Sequence, residues 1–261
     1  MSSATMKYIF LRDPLAGCAM LWAYRKEKKD EGKRKRRSEA HDGAVGISMG
    51  LNRKYLDFIE ASCAASGWNG RAGRMLEMGD QVVRGAGVAE ATGKAYFGAR
   101  GWKHVSVDMN GKHGAVKKDL RRPEEFAEWR GQFDVVTNSG TSEHVEPMEK
   151  QWECFKVVHD CLRVGGLAIH ILPDVVAHDV EGAWAGHCSI YYSREFFNNL
   201  AGWNCYWIVK EAQINGNLCV ALRKDLGCEF MPNRDAFLSL LHWRGAGGES
   251  EAKYGKFVKY G

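Results

Sequence analysis

Apolar residues along this chain fall into two alternating rhythms. Asn52–Ala65 carries Tyr55, Leu56, Phe58, Ile59 and Cys63 at helical spacing, which predicts a helix covering one face of a sheet. Short apolar runs and helical stretches then take turns: Arg74–Met78 as strand, Gly85–Phe97 as helix, His104–Asp108 as strand, Pro123–Trp129 as helix and Phe133–Asn138 as strand. Glu149–Leu162 holds Trp152, Phe155, Val158, His159 and Leu162 on one side and reads as a crossover helix stopped by Gly165–Gly166. Leu167–Leu172, closed by Pro173, is apolar almost throughout, as a strand buried on both faces should be. Ser193–Leu200 follows as a helix with Ser193 as N-cap, and Tyr206–Glu211 and Asn217–Arg223 are spaced to pair as a hairpin around Gln213–Gly216. Strands alternating with helices predict βαβ units and a parallel sheet.

The pattern divides the chain into an N-terminal extension (1–42), a folded domain (43–228) and a C-terminal segment (229–261) whose Phe237, Leu238, Leu241 and Trp243 suggest a helix before a Gly- and Lys-rich tail. That helix suits packing on the sheet or on a second subunit. Ahead of it all, Ala16–Tyr24 is apolar enough for a short helix. The net charge of +5 is concentrated: Arg25–Arg37 holds nine Lys/Arg against three Asp/Glu, a local +6 that leaves the rest at −1. A basic run of this kind suits phosphate binding or a solvated surface segment. The near-neutral remainder lacks the spread footprint of a nucleic-acid enzyme and favours a small acceptor. No apolar run is long enough to span a membrane and no signal peptide is evident, so a cytoplasmic location is expected. The eight cysteines form no C-x-x-C pair, which points to reduced thiols rather than a zinc or disulfide framework.

Chemistry gathers where the predicted strands end. The first closes in M-L-E-M-G-D-Q, placing Glu77 and Gly79 at the mouth of the sheet, and a glycine there lets the backbone turn and approach a ligand. The second ends at Asp108, positioned to accept from the two hydroxyls of a ribose. Asp119, after a further short strand, can reach an exocyclic amine. The next strand opens into Asn138, Ser139, Thr141, Glu143 and His144 within one loop, the place where open α/β sheets put active sites.

Together these segments resemble the class I S-adenosylmethionine-dependent methyltransferases over roughly residues 70–225. L-E-M-G stands as first motif, V-S-V-D as second, K-K-D-L as third, F-D-V-V-T-N-S-G as fourth and L-R-V-G-G-L as the turn beyond it. The resemblance implies an α/β fold: a doubly wound, mostly parallel seven-stranded sheet with a C-terminal antiparallel hairpin. It assigns Glu77 and Gly79 to the methionine side of the cofactor S-adenosylmethionine, Asp108 to its ribose, Asp119 to its adenine, and Asn138 and Ser139 to the cleft beside the methyl donor. The family's E-x-G-x-G-x-G is shortened here to E-M-G-D-Q.

Methyl transfer asks mainly for alignment, plus removal of a proton from a hydroxyl or ammonium acceptor. Glu143 and His144 are the first candidates for that role. His170, Trp184, His187 and Tyr191 are candidates for the acceptor pocket, although His170, inside an apolar strand, equally suits a satisfied core histidine. No ligand spacing supports a metal. A nicotinamide enzyme would need a phosphate-cradling glycine turn and a Tyr-x-x-x-Lys pair, which are absent. A non-catalytic binding or scaffolding module, or a nucleic-acid methyltransferase using the basic segment, are the other readings.

Overall fold

The computed structural model describes residues 50–68, 73–85, 87–176 and 188–243. The basic run Arg25–Arg37, the predicted helix Ala16–Tyr24, and Trp184 and His187 lie outside them.

Strands β1 (Arg74–Met78), β2 (Lys103–Val107), β3 (Phe133–Ser139), β4 (Leu162–Pro173), β6 (Tyr206–Ile214) and β7 (Asn217–Lys224) form one sheet in the order β2-β1-β3-β4-β7-β6. The first four are mutually parallel, and β7 runs antiparallel to both β4 and β6. Because β1 pairs with β2 on one side and β3 on the other, the chain reverses its winding direction there, and a crevice opens at the strands' C-terminal ends.

Period-2 alternation sorts the core into two layers. Met75, Val135, Leu167, Ile169, Ile171, Cys219 and Ala221 face helices α1 (Arg53–Ala65) and α2 (Gly93–Ala99). Leu76, Met78, Val136, Ala168, Leu172, Val220 and Leu222 face α3 (Gln151–Cys161) and α4 (Arg194–Trp203). The helix starts follow their caps: Asn52 Oδ1 accepts from Tyr55 N at 3.1 Å and Ser193 Oγ from Phe196 N at 3.1 Å. Asn215 and Gly216, both at positive φ, make the two-residue turn of the β6–β7 hairpin.

Several elements differ from expectation. Among the described residues the main sheet has six strands, and where a seventh is expected beyond β2 there is one parallel bridge, Val107 to Val116. Helix α2 begins at Gly93, not Gly85, since Gly85 and Gly87 adopt φ of 125° and 89°, outside the helical region, and the cap is Thr92. Pro123–Trp129 is a 3₁₀ helix. The crossover helix stops at Cys161, and β4 starts at once, carrying Gly165–Gly166 as an irregularity against Phe133–Val135. Among the described residues of the C-terminal segment only Arg234–Leu238 (α5) is helical; Phe230, Met231, Phe237 and Leu241 join the core, and the strand His242–Trp243 (β8) pairs with Ile190–Tyr191 (β5). No helix among the described residues is long and apolar enough to cross a membrane.

Candidate functional site

At the C-terminal ends of β1, β2 and β3 lies a cavity of about 780 Å³ lined by Gly79, Asp108, Asp119, Thr141 and His144, among others. Val107, Met109, Leu120 and Val145 supply its apolar wall. The volume suits a small molecule or nucleoside-sized ligand.

Asp108 is held by the turn it terminates. Its Oδ2 accepts from Asp80 N at 3.2 Å and its Oδ1 from Asn110 N at 2.8 Å. Each carboxylate oxygen thus receives one backbone N–H and keeps a lone pair for a diol. Asp119 sits in a bidentate pair, with Arg121 Nε 3.0 Å from Oδ1 and Nη2 2.8 Å from Oδ2. Burial pushes its carboxyl up, but the hydrogen bonds and charge of Arg121 outweigh this and hold it below the usual range. Arg121, which also lines the cavity, carried no motif signal in the sequence.

Gly79 has φ 84°, and a Cβ there would stand 2.4 Å from Thr141 Oγ1. That hydroxyl donates to Met78 O at 2.8 Å and accepts from Gln81 Nε2 at 3.2 Å, so the first loop is tied to the fourth across the glycine. The Asp80 side chain is 2% exposed and lies 2.5 Å from His113 Nδ1. The residues that break the glycine-rich pattern therefore serve as ties between loops.

Behind the cavity a closed hydrogen-bond circuit shapes the turn Ser142–His144. Asn138 Nδ2 donates to Ser142 Oγ (2.9 Å), and Tyr192 OH donates to Gln151 Oε1 (2.7 Å), which leaves the Tyr192 oxygen to accept from Ser142 Oγ (2.9 Å). Gln151 Nε2 returns to Ser142 O (2.6 Å) and Val145 O (2.7 Å), while Ser142 N donates to Asn138 Oδ1 (3.2 Å). Gln151 and Ser142 escaped sequence reading because the residue that joins them, Tyr192, lies 41 and 50 positions away in the chain.

The remaining predicted residues occupy distinct places. His144 lines the cavity with its side chain 24% exposed, its Nε2 4.0 Å from Glu143 Oε1. Glu143 is buried behind it; burial pushes its carboxyl up to about 8 against the pull of the Glu143 and Thr141 backbone N–H groups. At neutral pH it therefore carries its proton. Asn138 and Ser139 are buried beside the cavity rather than in its wall. Glu77 points the other way, under the start of α2, where a Cβ on Gly93 would lie 2.3 Å from its Oε1; burial raises its carboxyl well above the ordinary value. His170 is stacked on Phe155 at 5.1 Å and held neutral, with its value lowered to about 3 by burial, and Asn138 Nδ2 donates to its Nδ1 at 3.3 Å. Tyr191 is buried in β5. Among the described residues no group of three or more His, Cys, Asp or Glu is arranged to hold a metal ion.

This is the fold of the class I S-adenosylmethionine-dependent methyltransferases: a Rossmann-like mixed sheet with a reversed C-terminal hairpin and its crevice at the β1/β3 switch. No protein-family model and no curated protein matches the chain. Solved structures do match. One is the 1,6-didemethyltoxoflavin-N1-methyltransferase of Burkholderia thailandensis, solved with 1,6-didemethyltoxoflavin and S-adenosylhomocysteine, at 15% identity over 81% of this chain and 90% of that one, TM-score 0.44. A second is an S-adenosylmethionine-dependent methyltransferase of Clostridium acetobutylicum, at 12% identity, 77% and 98% coverage and TM-score 0.46. A third, from Archaeoglobus fulgidus, has 13% identity, 64% and 92% coverage and TM-score 0.42. Similarity this low leaves the fold assignment resting on strand order and direction.

Proposed function

We propose that this protein is an S-adenosylmethionine-dependent methyltransferase acting on oxygen or nitrogen of a small-molecule acceptor. The observation that carries the reading is Asp108, a carboxylate at a strand end in the wall of the switch-point cavity, with one lone pair per oxygen left for a ribose diol. Gly79 would let the cofactor's methionine side approach the backbone, Met109 and Leu120 would flank its adenine, and Asp119, fixed by Arg121, would face the adenine edge. When bound, the cofactor supplies an electrophilic methyl group, so the protein's task is alignment and proton removal.

His144 is the side chain placed to take the acceptor's proton, since it reaches the cavity wall and Glu143 does not. Glu143, protonated and buried, acts behind it as a positioning group. Asn138 holds the turn that carries both. The ties from Thr141 to Met78 and Gln81 favour a second reading, a methyltransferase-fold binding module, because they narrow the space against the first loop.

Calorimetric titration with S-adenosylmethionine and S-adenosylhomocysteine separates the two. The enzyme reading expects binding, weakened about 10- to 100-fold in Asp108→Ala through loss of charged hydrogen bonds worth about 1.5–3 kcal/mol. Unchanged affinity in the variant would remove the ribose assignment, and no binding to the parent chain would leave the module reading. With an acceptor in hand, His144→Ala should lower kcat by about 100-fold or more, and full turnover would overturn its role.

A further inference from the structure

At the opposite end of the sheet, where β6 starts and β7 ends, two cysteines meet. Cys205 follows Asn204, the cap of α4, and adopts φ 54°. That left-handed position after a helix normally falls to glycine or asparagine, because a Cβ there costs about 1 kcal/mol. Cys205 is also exposed, unlike Cys63, Cys154, Cys161, Cys188 and Cys219, which are all buried.

The loop after β7 brings Cys228 to the same corner. Its Sγ donates to Asn204 O at 3.1 Å, and its side chain interacts with that of Cys205. Four hydrogen bonds fix this approach. Met231 N donates to Asn204 Oδ1 at 2.8 Å, and Asn204 Nδ2 donates to Leu200 O at 2.8 Å. His159 Nδ1 is 2.7 Å from Tyr206 OH and its Nε2 is 2.8 Å from Cys228 O, so Nε2 carries the proton and Nδ1 accepts from the phenol. Two thiols held together by backbone that is already ordered lose little further freedom on joining.

We infer that Cys205 and Cys228 form a dithiol site that closes reversibly to a disulfide by exchange with a small-molecule disulfide of the glutathione class. The thiolate of exposed Cys205 attacks one sulfur of the oxidant, making a mixed disulfide and releasing one small thiol. Cys228 then gives its proton to solvent and attacks Cys205 Sγ, and the second small thiol leaves. Two protein thiols are oxidised by two electrons and one small disulfide is reduced to two thiols. The bridge closes a 24-residue segment around β6 and β7. The site stands on its own geometry, independent of the methyltransferase reading.

The test uses the full chain carrying Cys18→Ser, incubated with oxidised glutathione and then alkylated after unfolding, with peptide mass mapping. The expected product is a Cys205–Cys228 linked peptide that dithiothreitol reverses, with a melting temperature raised by about 5–10 °C. Cys228→Ser should stall with one glutathione on Cys205, and Cys205→Ser should give no linkage; circular dichroism checks that both remain folded. A persistent glutathione adduct on Cys205 without linkage in the Cys18→Ser chain overturns the inference, as does a link to another cysteine. Full alkylation of both residues after oxidation, or no adduct in the Cys228→Ser variant, does so equally.

Discussion

Replacing Glu143 by Gln probes a carboxyl whose protonation is set by burial. Burial holds this carboxyl neutral up to about pH 8, whereas its ordinary value is 4.5. A raised acid value means the folded chain keeps a proton that the unfolded chain releases between those limits. Stability linked to this group is therefore fully present below about pH 4.5, declines as pH rises, and levels off above about 8. Each pH unit in that window costs about 1.4 kcal/mol, giving an upper bound of about 5 kcal/mol. Relaxation and water entry around a buried charge reduce this to an effect on the order of 1–3 kcal/mol.

Glutamine has nearly the same shape and no charge, so it should leave the turn intact and remove the pH-dependent loss. Urea denaturation of both proteins at pH 5, 7 and 8.5 reads the difference directly, since all other groups cancel. The variant should gain relative to the parent by about 1–3 kcal/mol between pH 5 and 8.5. Repeating the pair in a His144→Ala background removes any contribution from the ring 4.0 Å away. A difference that stays constant with pH would refute a neutral Glu143, and with it the division of labour proposed for the two residues.

Gly79→Ala should destabilise the fold by about 1–3 kcal/mol and abolish cofactor binding, because φ 84° is strained for alanine and its Cβ would meet Thr141 Oγ1; thermal denaturation and titration check both, and near-parental values in each would contradict the close approach drawn there. Ser193→Ala should cost about 1 kcal/mol by removing the cap on α4, read from the urea midpoint, and a loss below about 0.3 kcal/mol would show the cap to be dispensable.

Much of the architecture was legible because it depends on local rhythm. Alternating apolar runs located every strand of the main sheet, and Ser193 announced the helix it caps. The strand-end residues Gly79, Asp108, Asp119 and His144 could be placed at one mouth because parallel strands share a direction, and the cavity wall contains all four. Two boundary differences come from glycines: Gly85 and Gly87 exclude the helix that neighbouring apolar residues suggest, and the strand runs through Gly165–Gly166, where the pattern suggests a helix stop.

What the residue pattern could not supply is the direction in which a side chain faces once strands are paired. Glu77 and Asp108 look alike at two strand ends, yet one lies under α2 and the other in the cavity wall. The circuit of Asn138, Ser142, Gln151 and Tyr192 joins residues up to 54 positions apart, and Cys205 meets Cys228 only because β6 and β7 fold back on each other. Periodicity, caps and strand-end residue types are local properties and survive in the sequence alone. Burial, partner choice and protonation state depend on which distant segments close around a group, so only the tertiary structure decides them.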